Sequence, residues 1–189
     1  IPDRVEAGSY ILATMASKGK LTLNNFKPDD LKYPLEIYKS MGLKMKKLSN
    51  NSYKFSCQNL KSINRISTKE FPGYPTDLQA QIIATLLKTG QSSKVIENIF
   101  ENRFIHIPEL RRFGADLKIK GKTVEINKVS ELYGAEVMAT DIRASFSLII
   151  GAMISKGKTT INRIYHLDRG YEDFDLKLKK CGVNIKRKK

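Results

Sequence analysis

A unit of about 70 residues occurs three times along this 189-residue chain, and the repetition limits the folds open to it. Each unit starts with a helix-like stretch closed by a glycine: Gly19, Gly90 and Gly157. A strand-like segment follows. The first and third match closely, Gly19-Lys20-x-Thr22-Leu23-Asn24 against Gly157-Lys158-x-Thr160-Ile161-Asn162. A shorter helix then ends on an apolar residue and a glycine: Met41-Gly42, Phe113-Gly114 and Cys181-Gly182. Glycine is the expected left-handed terminator there. Beyond it apolar residues alternate as in a strand: Leu43 and Met45, Ala115 and Leu117, Val183 and Ile185.

The expected fold is therefore mixed α/β (α+β). Three βαβαββ-like units, over about 1–65, 66–131 and 132–189, form one domain with pseudo-three-fold symmetry. Each unit gives one long helix to a shared centre, near Ser9–Ser17, Asp77–Thr89 and Ile142–Ser155. Leu78, Ile82, Ile83, Leu86 and Leu87 make one apolar stripe. Ile142, Phe146, Ile149, Ile150 and Met153 make another. Hairpin turns are expected near Asn50-Asn51 and Gly121-Lys122. The third unit stops at a strand over Val183–Arg187, with no room for its last strand, so another segment is expected to complete it.

Composition excludes several classes. Hydrophobic residues make up 41%, which argues against disorder. No apolar run approaches the roughly 18 residues of a membrane span. The opening, Ile1-Pro2-Asp3-Arg4, lacks the form of a signal peptide and an initiator Met, so a piece or processed product of a longer protein is expected. Cys57 and Cys181 show no metal-ligand spacing and point to a reducing, cytoplasmic setting. A formal charge of +15 suits anionic metabolites or polyanions. Only Lys186-Arg187-Lys188-Lys189 is a dense basic run, and no nucleic-acid-binding module accompanies it. A basic nucleic-acid-binding module stays as an alternative resting on charge alone; steeply salt-dependent binding to DNA or RNA would mark it.

Four stretches carry the chemistry: Pro72-Gly73-Tyr74-Pro75-Thr76-Asp77-Leu78-Gln79-Ala80-Gln81, Phe100-Glu101-Asn102-Arg103-Phe104, Met138-Ala139-Thr140-Asp141-Ile142-Arg143-Ala144-Ser145, and His166-Leu167-Asp168-Arg169-Gly170-Tyr171. Each reads as a turn that brings carboxylates or arginines to a helix start. Such sets suit an anionic substrate whose hydroxyl must lose a proton. Guanidinium forks bind carboxylate and phosphate in pairs of hydrogen bonds. Helix capping by Thr76-Asp77 and Thr140-Asp141 accounts for the same residues without any substrate. Arg103, Arg143 and Arg169 taken singly are ordinary surface arginines. His106 reads as structural, and His166 beside Asp168 as packing.

In this order and at these intervals, the four motifs resemble the C-terminal half of the UDP-N-acetylglucosamine 1-carboxyvinyltransferase family of enolpyruvyl transferases. The resemblance spans the whole chain. It is most specific over Phe71–Arg112 and Met138–Tyr171 and looser over Lys27–Ser67. Phe146 stands where the family commonly has a smaller residue. The resemblance implies three units with helices inside and sheets outside. It implies transfer of the enolpyruvyl group of phosphoenolpyruvate to the 3′-hydroxyl of UDP-N-acetylglucosamine, releasing phosphate, at the first committed step of bacterial peptidoglycan synthesis. By the same resemblance Asp77 contacts the sugar nucleotide and is its base, and the Ile99 backbone contacts the sugar. Asp141 lies near the reacting centre, Arg169 binds phosphoenolpyruvate, and Arg103 and Arg143 share the cleft. No metal or organic cofactor, nucleic acid or membrane is implied. The family's lysine-asparagine pair and cysteine-bearing loop have no match here. The implied partner is therefore a second domain of the same enzyme, and this chain alone is expected to be inactive. The enzyme alternative, 3-phosphoshikimate 1-carboxyvinyltransferase, fits the Phe100–Phe104 and Met138–Ser145 motifs less well.

Overall fold

In the computed structural model, which describes residues 3–188, the chain opens on α1 (Arg4–Ala16) and β1 (Lys20–Leu23). A 3-10 turn at Pro28–Leu31, α2 (Lys32–Ser40) and the strands β2 (Lys44–Ser49) and β3 (Ser52–Ser56) follow. They form an antiparallel sheet in the order β1-β3-β2. Next come β4 (Arg65–Ser67), a 3-10 turn at Thr76–Leu78, α3 (Gln79–Leu86), β5 (Ser93–Ile96), α4 (Ile107–Arg112), β6 (Leu117–Lys120) and β7 (Thr123–Ile126). This sheet runs β4-β5-β7-β6, with β4 and β5 parallel. The last part holds β8 (Glu136–Met138), α5 (Ser145–Ile154), β9 (Thr160–Asn162), α6 (Tyr165–Gly170) and α7 (Phe174–Lys180), with β8 and β9 parallel. Both expected hairpins form, turning at Asn50-Asn51 and Gly121-Lys122. Ile1 and Pro2 of the unusual opening, and Lys189 of the basic tail, lie outside the described residues.

Helices α1, α3 and α5 pack on one another. The sequence predicts one apolar stripe on each of the last two. Instead every residue of α3 is buried, as is α5 from Ser145 to Gly151. A helix flanked on both sides by other helices is dry all round, which explains the difference. Both helices start later than expected, because Asp77 lies in the 3-10 turn and Ile142 in the turn before α5. The first sheet packs on α1, with Leu21, Met45 and Phe55 opposite one another on its apolar face. Phe26 meets the Phe55 ring edge-on at 5.4 Å. The large Phe146 is accommodated in the core, 5.3 Å from the Tyr10 ring and 4.5 Å from Tyr171. Burying such a side chain stabilises by about 1.5–3 kcal/mol.

Helix ends explain the repeated glycines. Gly42 (φ +105°), Gly114 (+90°) and Gly182 (+90°) take the left-handed conformation at equivalent ends of α2, α4 and α7. At α2 the Leu43 N–H donates to Tyr38 O (2.9 Å) and Gly42 N–H to Lys39 O (3.0 Å), so both orphan carbonyls are satisfied. α7 repeats this with Val183 to Leu178 and Gly182 to Lys179. Gly19 departs from expectation. α1 closes one residue earlier, with Lys18 at φ +56° and the Gly19 N–H donating to Thr14 O at 3.0 Å.

The strand expected over Val183–Arg187 is absent. A strand needs a ladder partner, and none of the described residues offers one. Arg187 instead folds back, with Nη2 2.7 Å from Asp168 Oδ1 and 2.9 Å from Asp175 Oδ1.

Gly42→Ala and Gly114→Ala should therefore differ in cost. Both lose the left-handed permission, about 1–2 kcal/mol. At Gly42 the new Cβ would also meet the Asn59 carbonyl oxygen at 2.2 Å, whereas at Gly114 the nearest atom, Glu131 O, is 4.0 Å away. We expect urea unfolding to show a loss of about 3 kcal/mol or more for Gly42→Ala. Equal losses would contradict this.

Candidate active site

The Pro72–Pro75 turn is held from below by Tyr74, which is fully buried. Its hydroxyl lies 3.0 Å from the Tyr38 hydroxyl and donates to Leu78 O at 3.4 Å, while the Lys69 N–H donates to Tyr74 O at 2.9 Å. The turn thereby presents Thr76 and Asp77 at the start of α3. Neither caps the helix: no side-chain cap bond exists at the 3-10 turn or at α3 itself. Capping, the competing explanation for Asp77, is not how this carboxylate is used. Its Oδ1 accepts from Arg103 Nη2 at 2.6 Å, in a partly exposed pair. Arg103 also lies over the Phe100 ring, 5.0 Å from its centre. An open pocket adjoins Asp77, lined also by Ile99, Phe71, Lys69, Lys32 and Arg4. None of Arg103, Arg143 and Arg169 lines it.

Thr76 turns its hydroxyl to Glu97 Oε2, 2.7 Å away. Glu97 is buried at the end of β5. Its Oε1 accepts from Thr68 Oγ1 (2.9 Å), Ile99 N–H (2.8 Å) and Phe100 N–H (3.2 Å). One carboxyl group thus touches both the Asp77 turn and the loop leading to Arg103.

Asp141 behaves differently from Asp77. Its Oδ1 accepts from the N–H groups of Arg143 (2.8 Å) and Ala144 (2.6 Å), so it caps the turn into α5. The expected cap, Thr140, has its buried hydroxyl unpartnered among the described residues. The Arg143 side chain is fixed in three ways. Nη1 donates to Gly170 O (3.0 Å), Nη2 pairs with Asp3 Oδ2 (3.0 Å), and the group lies 5.8 Å from the Tyr171 ring centre. Partial burial works against its charge, but Asp3 beside it outweighs this and the pKa is raised. Asp77 lies close enough to add to the same field.

A buried amide joins these parts. Gln81 Nε2, in the first turn of α3, lies 3.1 Å from Ser9 Oγ on α1, 3.0 Å from Arg143 O before α5 and 3.0 Å from the Tyr171 hydroxyl. The Ser9 hydroxyl donates to Val5 O (2.8 Å), so the Tyr171 hydroxyl is the donor in its 2.9 Å bond to Ser9. Burial pushes the Tyr171 pKa up to about 12, which keeps that proton in place.

The His166–Tyr171 stretch, expected as a turn, is for the most part the helix α6 itself, so Arg169 lies in its last turn rather than at a helix start. Arg169 is exposed there, without an ion-pair partner among the described residues, while its neighbour Asp168 is occupied by Arg187. His166 stacks on Tyr165 at 4.2 Å rather than bonding Asp168. His106 is fully buried; burial, helped by the nearby Arg103 charge, lowers its pKa to about 3 and holds it neutral. The sequence assigns no role to Asp3 or Glu97, and Gln81 stands in the first motif without one. A polar Gln81 inside the apolar run Leu78–Leu87, and an acid closing Ser93-Lys94-Val95-Ile96, were the available signals.

The Asp141 cap yields a prediction. Asp141→Ala should lower stability by about 0.5–2 kcal/mol in denaturant unfolding, and Asp141→Asn, which still caps, by only a few tenths. Equal effects would remove the capping role.

Comparison with known proteins identifies the family and the fold. The family model of EPSP synthase (3-phosphoshikimate 1-carboxyvinyltransferase) matches residues 1–178. A UDP-N-acetylglucosamine 1-carboxyvinyltransferase of Pelagibacter ubique is 46% identical over 187 residues, which cover 99% of this chain and 45% of that protein. The enzyme of the same name from Endomicrobium trichonymphae is 44% identical over 186 residues, with 98% and 44% coverage. The chain thus spans less than half the length of these curated relatives. In structure it is similar to the enolpyruvyl transferase NikO from Streptomyces tendae: TM-score 0.85, 23% identity, 98% of this chain and 44% of that one. That likeness shows the fold, a mixed α/β arrangement of helices and small sheets. With residues 1–178 of its 189 matched by the family model, the chain belongs to the EPSP synthase (3-phosphoshikimate 1-carboxyvinyltransferase) family.

Proposed function

We propose that this chain is one domain of a two-domain enolpyruvyl transferase acting on UDP-N-acetylglucosamine and phosphoenolpyruvate in the cytoplasm, at the entry to peptidoglycan synthesis. The observation that carries the proposal is the use made of Asp77. It stands at a helix start without capping it, beside an arginine and an open pocket. The naming of the 43–46% identical relatives supports the choice of sugar nucleotide over shikimate phosphate. In this proposal the chain's units are related by pseudo-three-fold symmetry, with helices inside and sheets outside. The shared strand orders β1-β3-β2 and β5-β7-β6, and the parallel pairs β4-β5 and β8-β9, support it.

The chemistry follows from the charges. The starts of α1, α3 and α5 lie together, since Arg143 reaches Asp3 and Gln81 bonds Arg143 O. The positive ends of three helices, with Arg103 and Arg143, favour a bound anion. Asp77 Oδ1 is held by Arg103, and Oδ2 is the oxygen for the sugar 3′-hydroxyl. As that hydroxyl adds to C2 of phosphoenolpyruvate, its proton passes to Asp77, and C3 gains a proton. Phosphate then leaves and C3 loses a proton, restoring the double bond. Arg169, exposed and unpaired among the described residues, would take the phosphate or carboxylate of phosphoenolpyruvate, assisted by Arg103 and Arg143. Asp141 acts by fixing the Arg143 turn, and Ile99 lends its backbone to the sugar. A second domain closing over the cleft would exclude water and complete the site.

Asp77→Asn in the full-length enzyme is expected to fold normally, since no cap is lost, and to lower kcat by about 10²–10⁴. Phosphate release from phosphoenolpyruvate and UDP-N-acetylglucosamine is the assay. A near-native rate would leave the base unassigned. Activity of the isolated 189-residue chain in the same assay would contradict the two-domain proposal.

A further inference from the structure

Glu97 is a buried acid without an ion-pair partner among the described residues, yet all four groups within hydrogen-bond reach donate to it. A carboxylate accepts through both oxygens and gives no proton in return, so this donor set suits it. The arrangement costs burial of a charge, and four converging donors, two of them backbone N–H groups, offset that cost.

The four donors come from three segments. Thr68 follows β4, Thr76 precedes Asp77, and Ile99 and Phe100 open the loop that carries Arg103. Thr68 continues the chain of bonds, its oxygen accepting from the Asn98 N–H at 2.8 Å. Oε2 serves the Asp77 turn and Oε1 serves the 99–103 loop. The two residues of the 2.6 Å pair, Asp77 and Arg103, are thus each one or a few residues from an atom bonded to the same carboxyl group.

We infer that Glu97 is a positioning residue that locks the Asp77 turn and the Ile99–Arg103 loop in one register, so setting the orientation of Asp77 towards the hydroxyl it deprotonates. This inference rests on the enolpyruvyl transfer proposed above. Displacing a reacting group by about 1 Å costs on the order of 10²-fold in rate. Losing one of the two arms should therefore show in turnover well before it shows in folding.

Thr76→Val separates the arms: it cuts only the Oε2 bond and leaves the three on Oε1. In the full-length enzyme it is expected to reduce kcat by about 10–10²-fold. The KM for phosphoenolpyruvate should stay within about twofold, because the arginines that bind it are untouched. Thr76→Ser, which keeps the hydroxyl, should restore most of the rate. Amide hydrogen exchange on the unliganded 189-residue chain provides a readout independent of any reaction. The Ile99 and Phe100 amides should stay protected in Thr76→Val and lose protection in Glu97→Ala, with the β7 amides unchanged in both. A folded Thr76→Val enzyme with native kcat would overturn the positioning role, as would unaltered Ile99 and Phe100 exchange in Glu97→Ala. Absence of enolpyruvyl transfer by the unsubstituted enzyme would instead overturn the proposed function, and the exchange pattern would still judge the Glu97 lock.

Discussion

One primary amide ties the start of α3 to the second turn of α1 and to the turn before α5. The two hydrogens of Gln81 Nε2 are shared among Ser9 on α1, the Arg143 carbonyl before α5 and the Tyr171 hydroxyl after α6. Because the Arg143 carbonyl can only accept, the amide has one possible orientation. A polar group this deep is costly unless bonded. The nitrogen is bonded three ways, while Oε1 has no partner among the described residues, so the alignment rests on the nitrogen alone. The wider packing of α1, α3 and α5 supplies the stability, whereas Gln81 supplies the alignment on which the site depends.

Bringing three helix N-termini together concentrates positive partial charge, and the chain answers with carboxylates. Asp3 caps α1, accepting from Val5 and Glu6 N–H groups, and Asp141 caps the turn into α5. The start of α3 has no such cap. Its acid, Asp77, is turned towards Arg103 and the pocket. Two carboxylates are committed to the scaffold and one to the cleft. The same division sorts the arginines: Arg143 is tied down by Asp3 and Gly170, while Arg169 stays exposed.

The long helices, the two hairpins and the glycine terminators of α2, α4 and α7 could be read in the sequence because each depends on local pattern, whereas α6 stands where a turn was expected. Leu78–Leu87 repeats at helical spacing, and Gly42, Gly114 and Gly182 stand where a left-handed residue is needed. What could not be read depends on distant partners. Thr76-Asp77 and Thr140-Asp141 are alike as dipeptides, yet only the second supplies a cap, because Glu97 and Arg103 draw the first pair away. The strand expected at Val183 is likewise a matter of neighbours. Its alternation is correct, but no described strand lies beside it, and Arg187 turns to Asp168 and Asp175. Lys18 took the place expected of Gly19 because the last turn of α1 closes one residue early, which no composition rule foretells.

The central claim is that Asp77 faces the reacting hydroxyl. A crystal structure of the full-length enzyme with UDP-N-acetylglucosamine tests it directly. An Asp77 carboxylate oxygen is expected within about 2.6–3.2 Å of the sugar 3′-hydroxyl oxygen. A sugar bound with that hydroxyl out of reach of Asp77, and the carboxylate still turned only to Arg103, would contradict it.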